Sequence, residues 1–407
     1  MRYTRTVDEN LEWYVYGQAS VDQSGGLEEN DRAGVGVKYR FAPNWTFDGE
    51  VSGGSTGAAG EAFLTYQSDT FDQYYIGYRL EPGREFSGVD LVGQDRGTLV
   101  IGGQRRVSDR FDIFAENQFD AFGRHRSLTS VYGVQYRATE QLTFSGGFEF
   151  GRVNDAGNDF DRNALSLGVR YSDGDRLTAA AKVEYRFDDG EIAGINRDQR
   201  SLFLTGDARY KIDESQRLLF SAEYADTDTD NSSILSGTYA DVSIGYAYRP
   251  IHNDKLNLLF QYRFLYDLIG QELDGTDARG AVQRSHVVSV DAIYDLNKNW
   301  TLGGKLGGRF SDSAVDATAS FEDNDAWLAV INARFHVTHK WDILMEARQL
   351  EANQADFSET GVLIAGYRHV GNNLKIGLGY NFGEFSDELT DLTLDDRGPF
   401  INLIAKF

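Results

Sequence analysis

A few short stretches carry residue types that could do chemistry. In "GGSTG" (53–57) the serine has the spacing of a nucleophile elbow, where Ser55 would attack an acyl carbon from a strained strand-to-helix turn. The flanking runs read as strands, so the stretch is a hairpin loop and the strained presentation is missing. "HVTH" sets His336 and His339 three apart, but the glutamate of a zinc-binding H-E-x-x-H helix is absent and the other four histidines are scattered. "DTDTDN" (226–231) begins like a calcium loop, yet Asn231 stands where the turn glycine belongs and Gly237 where the bidentate glutamate belongs. No catalytic residue, metal site or cofactor is expected from these stretches, and a hydrolase assembled across strands is a remote alternative.

A fourth pattern is more regular. Tyr-Arg pairs stand at 39–40, 136–137, 248–249 and 367–368, each shortly before a polar turn. Neighbours in a strand point to opposite faces. Tyr39, Tyr136, Tyr248 and Tyr367 are therefore expected on one face, and Arg40, Arg137, Arg249 and Arg368 on the other. Arg170, Arg209 and Arg334 lie at similar depths, which predicts a partial basic ring sharing its wall with Glu50, Asp112, Glu116, Glu149, Asp207 and Glu223. Such a ring would select or dock anions or an acidic segment. The plainer reading is a ladder of ion pairs that solvates a polar wall.

Strands must position all of these residues. Short polar turns recur at "APN" (42–44), "SDT" (68–70), "SDR" (108–110), "TEQ" (139–141), "DGD" (173–175), "DES" (213–215), "HND" (252–254), "NKN" (297–299), "THK" (338–340) and "GNN" (371–373). Between neighbouring turns lie one strand, a longer and mostly acidic connection, and another strand. Short and long connections alternate, which gives about 22 strands in one all-β domain at 11–407, after an N-terminal lead at 1–10 expected on the short-turn side. The composition agrees, with 44 Gly, 22 Tyr and 26 Phe against 4 Pro, 2 Met and no Cys. In "LTAAAKVEYRF" one parity reads Leu177, Ala179, Ala181, Val183, Tyr185, Phe187, while the other carries Lys182, Glu184 and Arg186.

Such dyads run about ten residues, the length that crosses a bilayer at a tilt. Trp45, Trp300 and Trp341 directly follow short turns, and with Tyr39, Tyr136, Tyr248 and Tyr367 they predict an interfacial girdle. No run approaches 18 apolar residues, and "MRYTRTVDEN" lacks the apolar core of a signal peptide. Any export signal is expected outside this chain. A net charge of −23 argues against nucleic acid as a partner.

The last residues, "INLIAKF", set Ile401, Leu403, Ala405 and Phe407 on one parity, with Asn402 and Lys406 on the other, and end on an aromatic. That ending resembles the C-terminal recognition signal of Gram-negative outer-membrane β-barrel proteins. The resemblance implies a transmembrane antiparallel up-and-down barrel with short periplasmic turns and long extracellular loops. Its partners would be outer-membrane lipid, lipopolysaccharide and the barrel-assembly machinery, and its place the cell outer membrane. "GYNFGEFSDELTDLTLDDRGPFINLIAKF" also resembles the end of larger outer-membrane surface proteins with a C-terminal barrel. The strand count is similar to that of TonB-dependent transporters, whose plug domain has no counterpart here.

A closed sheet of 22 strands at ~4.8 Å spacing and ~40° tilt is on the order of 40 Å across. Its lumen needs an occupant: an inward loop, an upstream segment, or a plug or passenger protein. The stretch 81–95, with Arg84, Phe86 and Leu91, is the candidate constriction. Two functions remain: a conduit for solute uptake or polypeptide export with a gated lumen, or a passive anchor for a surface or periplasmic assembly.

Overall fold

The computed structural model describes residues 2–405 apart from 19–30, 56, 69–70, 81–84, 87–88, 91–96, 120–127, 156–157, 193, 231–236, 254, 268–281, 315–319, 353–356, 371–373 and 384–396. The described residues form strands and no helix. Three strands are two-residue pieces, Glu85–Phe86, Val89–Asp90 and Glu322–Asp323. The full strands are the 22 that the turns predict plus Arg2–Thr6, which lies within the expected lead.

The chain divides into two compact units. The first comprises Met1–Arg170, Lys182–Phe203 and Thr227–Ser233; the second comprises Tyr171–Ala181, Leu204–Asp226 and Ile234–Phe407. In the first, strands from Arg2–Thr6 to Leu142–Asp155 pair antiparallel with their neighbours in chain order, with only the Glu85–Phe86 and Val89–Asp90 pieces set aside as a separate two-stranded ladder. In the second, the same up-and-down order runs from Gly237–Tyr248 to Gly398–Ala405. Sequential antiparallel pairing satisfies the backbone within the sheet, which is what a strand needs in order to cross hydrocarbon.

The short turns form because their polar residues cap them. Asp173 Oδ1 accepts the N–H groups of Asp175, Arg176 and Leu177 at 3.0, 2.7 and 2.9 Å, and Gly174 supplies a φ of +78°. These three N–H groups, Leu177's foremost, hold the Asp173 carboxyl below its ordinary pKa. Thr139, Asp213 and Asn297 accept N–H groups two or three residues ahead in the same way. So does Asp8, toward Asn10 and Leu11, and this turn joins Arg2–Thr6 to Leu11–Gln18.

The two faces of each unit differ in kind. One is apolar and exposed: Val51, Tyr132 and Leu165 in the first unit, and Leu306, Ile331 (71%), Leu378 and Ile401 (73%) in the second. A water-exposed belt of this extent would drive aggregation, whereas lipid solvates it. The other face is polar, and glycine lets aromatic rings lie flat against it. A Cβ at Gly36 would fall 2.1 Å from Tyr14 Cζ, and one at Gly102 would fall 2.4 Å from Tyr75 Cζ.

Candidate functional site: the polar wall

In the first unit the polar face is a chain of carboxylates with assigned donors. Tyr14 and Tyr16 both donate to Glu50, Tyr16 at 2.8 Å. Glu50 stands opposite Glu61, and the like charges are relieved by Arg79, 3.2 Å from Glu61. Tyr75 and Gln118 donate to Glu116. Arg106 and Arg137 bracket Asp112 at 3.2 and 2.5 Å. Further along, Arg162 forks onto Asp188 through Nε at 2.6 Å and Nη2 at 2.5 Å, with both side chains 4% exposed. A bidentate geometry of this kind offsets the desolvation that burial imposes.

The second unit has a different centre. Asp342, 4% exposed, faces His336 Nδ1 and His369 Nε2 at 2.8 Å each and Lys375 Nζ at 3.3 Å. The four residues come from three consecutive hairpin-linked strands and one beyond, brought level by register. Arg263 forks onto Asp241 at 2.8 and 2.6 Å, and Arg348 Nε lies 2.5 Å from Glu346. Toward the long-connection ends this face turns apolar: Val287, Ala326, Leu328, Val330, Leu350 and Ala352 form a buried cluster with Leu328 fully covered.

Most of the expected basic positions lie on the polar face. Arg40 sits opposite Thr46, Arg137 holds Asp112, and Arg334 sits opposite Thr301. Arg170 and Arg209 alternate with exposed Val169 and Tyr210. Arg249 lies one residue past its strand, and its N–H donates to Ser215 O. Arg368 is a correction, for it lies on the apolar face with its guanidinium 5.5 Å from the Trp341 ring, while Tyr367 is 6% exposed on the polar face. The reason is parity: Val362, Ile364 and Val370 share the face of Arg368. Glu50, Asp112 and Glu116 stand on the polar wall as paired groups.

Of the residues expected in a girdle, Tyr39, Trp45, Tyr136 and Trp341 are exposed on the apolar face. Trp300 packs on Phe335 at 4.7 Å, and Tyr248 stands opposite Leu258. Of the residues expected to form a terminal signal, Ile401 faces outward and Leu403 and Ala405 pair with Ile376 and Leu374 in register. Phe407 lies outside the described residues, as do Arg84 and Leu91; Phe86 pairs with Val89.

The expected accidental motifs are taken up by structure. Ser55 Oγ accepts the N–H of Asp31, and Asp226 accepts the Thr238 hydroxyl at 2.7 Å. His336 turns to Asp342 and meets His369 there instead of His339. Among the described residues, no group of three or more His, Cys, Asp or Glu could hold a metal ion.

No protein-family model matches the chain, and no curated protein matches its sequence. Solved structures do. A mutant of the ferric enterobactin receptor PfeA from Pseudomonas aeruginosa aligns with TM-score 0.51 and 11% identity over 99% of this chain and 76% of that one. The copper transporter OprC aligns with TM-score 0.50 and 11% identity over 99% and 79%. At such identity the likeness speaks to fold. The apolar belt, the up-and-down order and these alignments agree: the fold is that of the outer-membrane β-barrels.

Proposed function

We propose that the chain is a conduit across the outer membrane, serving solute uptake or polypeptide export, with a gated lumen. The observation that carries this reading is the polar wall, where carboxylates pair with tyrosines and guanidiniums along a face suited to water. A passive anchor could be built from about eight strands, far fewer than are present here. The neighbours in fold are a ferric enterobactin receptor and a copper transporter, which supports transport as the class. The buried apolar cluster around Leu328 on the polar face favours a filled or gated lumen over an open one. The candidates for the gate are the 81–95 loop, an upstream segment and a partner. Liposomes carrying the purified chain should swell in isosmotic solutions of small sugars and amino acids, and faster once residues 84–94 are removed if that loop is the constriction. Swelling no faster than protein-free liposomes in both forms would favour the anchor.

A further inference from the structure

In the first unit the apolar belt is interrupted by polar groups. On the strands Gln73–Leu80, Gly97–Ser108, Phe111–Phe119, Leu128–Arg137 and Leu142–Asp155, the outward residues form a groove of about 760 Å³. Its floor is Gly103, Ala115 and Gly146, and its walls are Tyr74, Tyr132 and Phe148. Two polar groups cut into the belt here. Arg105 stands opposite Ile113, and Asn117 stands opposite Ile101 and Ser130. From Arg105 to the level of Asn117 is four residues, or about 13 Å of strand, roughly half of the ~25 Å that a lipid-facing band spans. In the second unit, by contrast, Trp300, Leu302, Gly304, Leu306, Gly308 and Phe310 keep the outward row apolar from residue 300 to residue 310.

Lipid does not suit such a patch. The Asn117 amide oxygen accepts from Ser130 Oγ at 2.8 Å and Tyr132 Oη at 3.4 Å, and among the described residues its N–H₂ group meets no acceptor. Hydrocarbon offers none either, whereas protein surfaces that meet in membranes combine small residues with a polar side chain that bonds across. The groups present are self-complementary. An amide both donates and accepts, and Arg105 pairs with Asp72 within the chain at 3.6 Å, so the two opposite charges stand side by side and a two-fold axis between them can exchange the pair between subunits. We propose that this groove is the contact of a two-fold dimer of the chain within the membrane, with Asn117 near the axis and Arg105 facing the partner subunit's Asp72.

The chain has no cysteine, which makes the test direct. Single variants Asn117→Cys and Ala115→Cys, oxidised in native membranes, should give disulfide-linked dimers at least tenfold above Leu306→Cys, an outward control in the second unit. Gly146→Leu should reduce that crosslinking several-fold while leaving the heat-modifiable folded fraction unchanged. A Cβ has room there, since its nearest neighbour, Val134 Cγ2, would be 3.5 Å away. Folded Ala115→Cys protein that crosslinks no better than the Leu306→Cys control would overturn the proposal, even if Asn117→Cys failed to fold. So would native mass spectra of the unaltered chain showing monomers with retained phospholipid that Gly146→Leu displaces, for the groove would then be a lipid site.

Discussion

Arginine placed at Ile331 tests which face meets lipid. Among the described residues Ile331 is the second most exposed large apolar one, and it lies four residues from Phe335, which packs on Trp300, and four from Trp327. Four residues at ~3.3 Å rise and ~40° tilt amount to about 10 Å, which puts Ile331 near the middle of a ~25 Å band. Ile331→Arg should therefore cost about 2–4 kcal/mol. Asn332 is the neighbour on the polar face, with Nδ2 3.4 Å from Glu346 Oε2. Asn332→Arg gains a carboxylate partner and should cost about 1 kcal/mol or less. Leu378 and Gly379 make a poorer pair, because a Cβ at Gly379 would fall 2.4 Å from Phe400 Cζ and arginine there would test packing instead. The assay is urea unfolding from phospholipid vesicles, followed by tryptophan fluorescence. Equal costs, or a larger cost at Asn332, would mean that the faces are assigned the wrong way round.

Three further outcomes follow from the same geometry. Arg162→Ala leaves the Asp188 carboxylate buried without its fork and should lose about 3–5 kcal/mol in the same assay, whereas replacing both residues by leucine should recover much of the loss; a loss under 1 kcal/mol would refute the buried pair. The depressed Asp173 pKa means that its contribution to stability is present above the unfolded value of ~3.9 and is lost as pH falls through the folded one. Asp173→Asn keeps the acceptor and should remove that part of the acid sensitivity below about pH 4, and an unchanged pH profile would count against it. Deleting Phe407 should leave the chain unassembled in the periplasm, and normal levels of heat-modifiable protein in the outer membrane would contradict the assembly signal.

The turns and the parity of the strands carried most of the architecture into the sequence. Asp173, Thr139 and Asn297 are legible because a side-chain acceptor acts on backbone only two or three residues away. Asp8 has the same signature with Asn10 and Leu11, so Arg2–Thr6 could have been found by the same rule. Tyr367 and Arg368 show how a dipeptide misleads. Their faces follow from Val362, Ile364 and Val370 around them, since one residue of offset exchanges the faces. The Asp342 centre was out of reach, because His336, His369 and Lys375 meet it only after four strands take their register. Tyr14 on Gly36 is similar: the tyrosine and glycine counts show that such pairs exist, but only pairing says which ring covers which glycine.

Current through the purified chain in a planar phospholipid bilayer tests the conduit most directly. Discrete conductance steps are expected, larger after removal of Arg84–Gln94 if that loop constricts the lumen. Under a salt gradient, Arg40→Glu with Arg137→Glu should shift the reversal potential toward cation preference, because both arginines stand on the polar wall. Chain that is folded in the bilayer, shown by heat-modifiable migration, and that passes no current in any of these forms would contradict the conduit and leave the anchor.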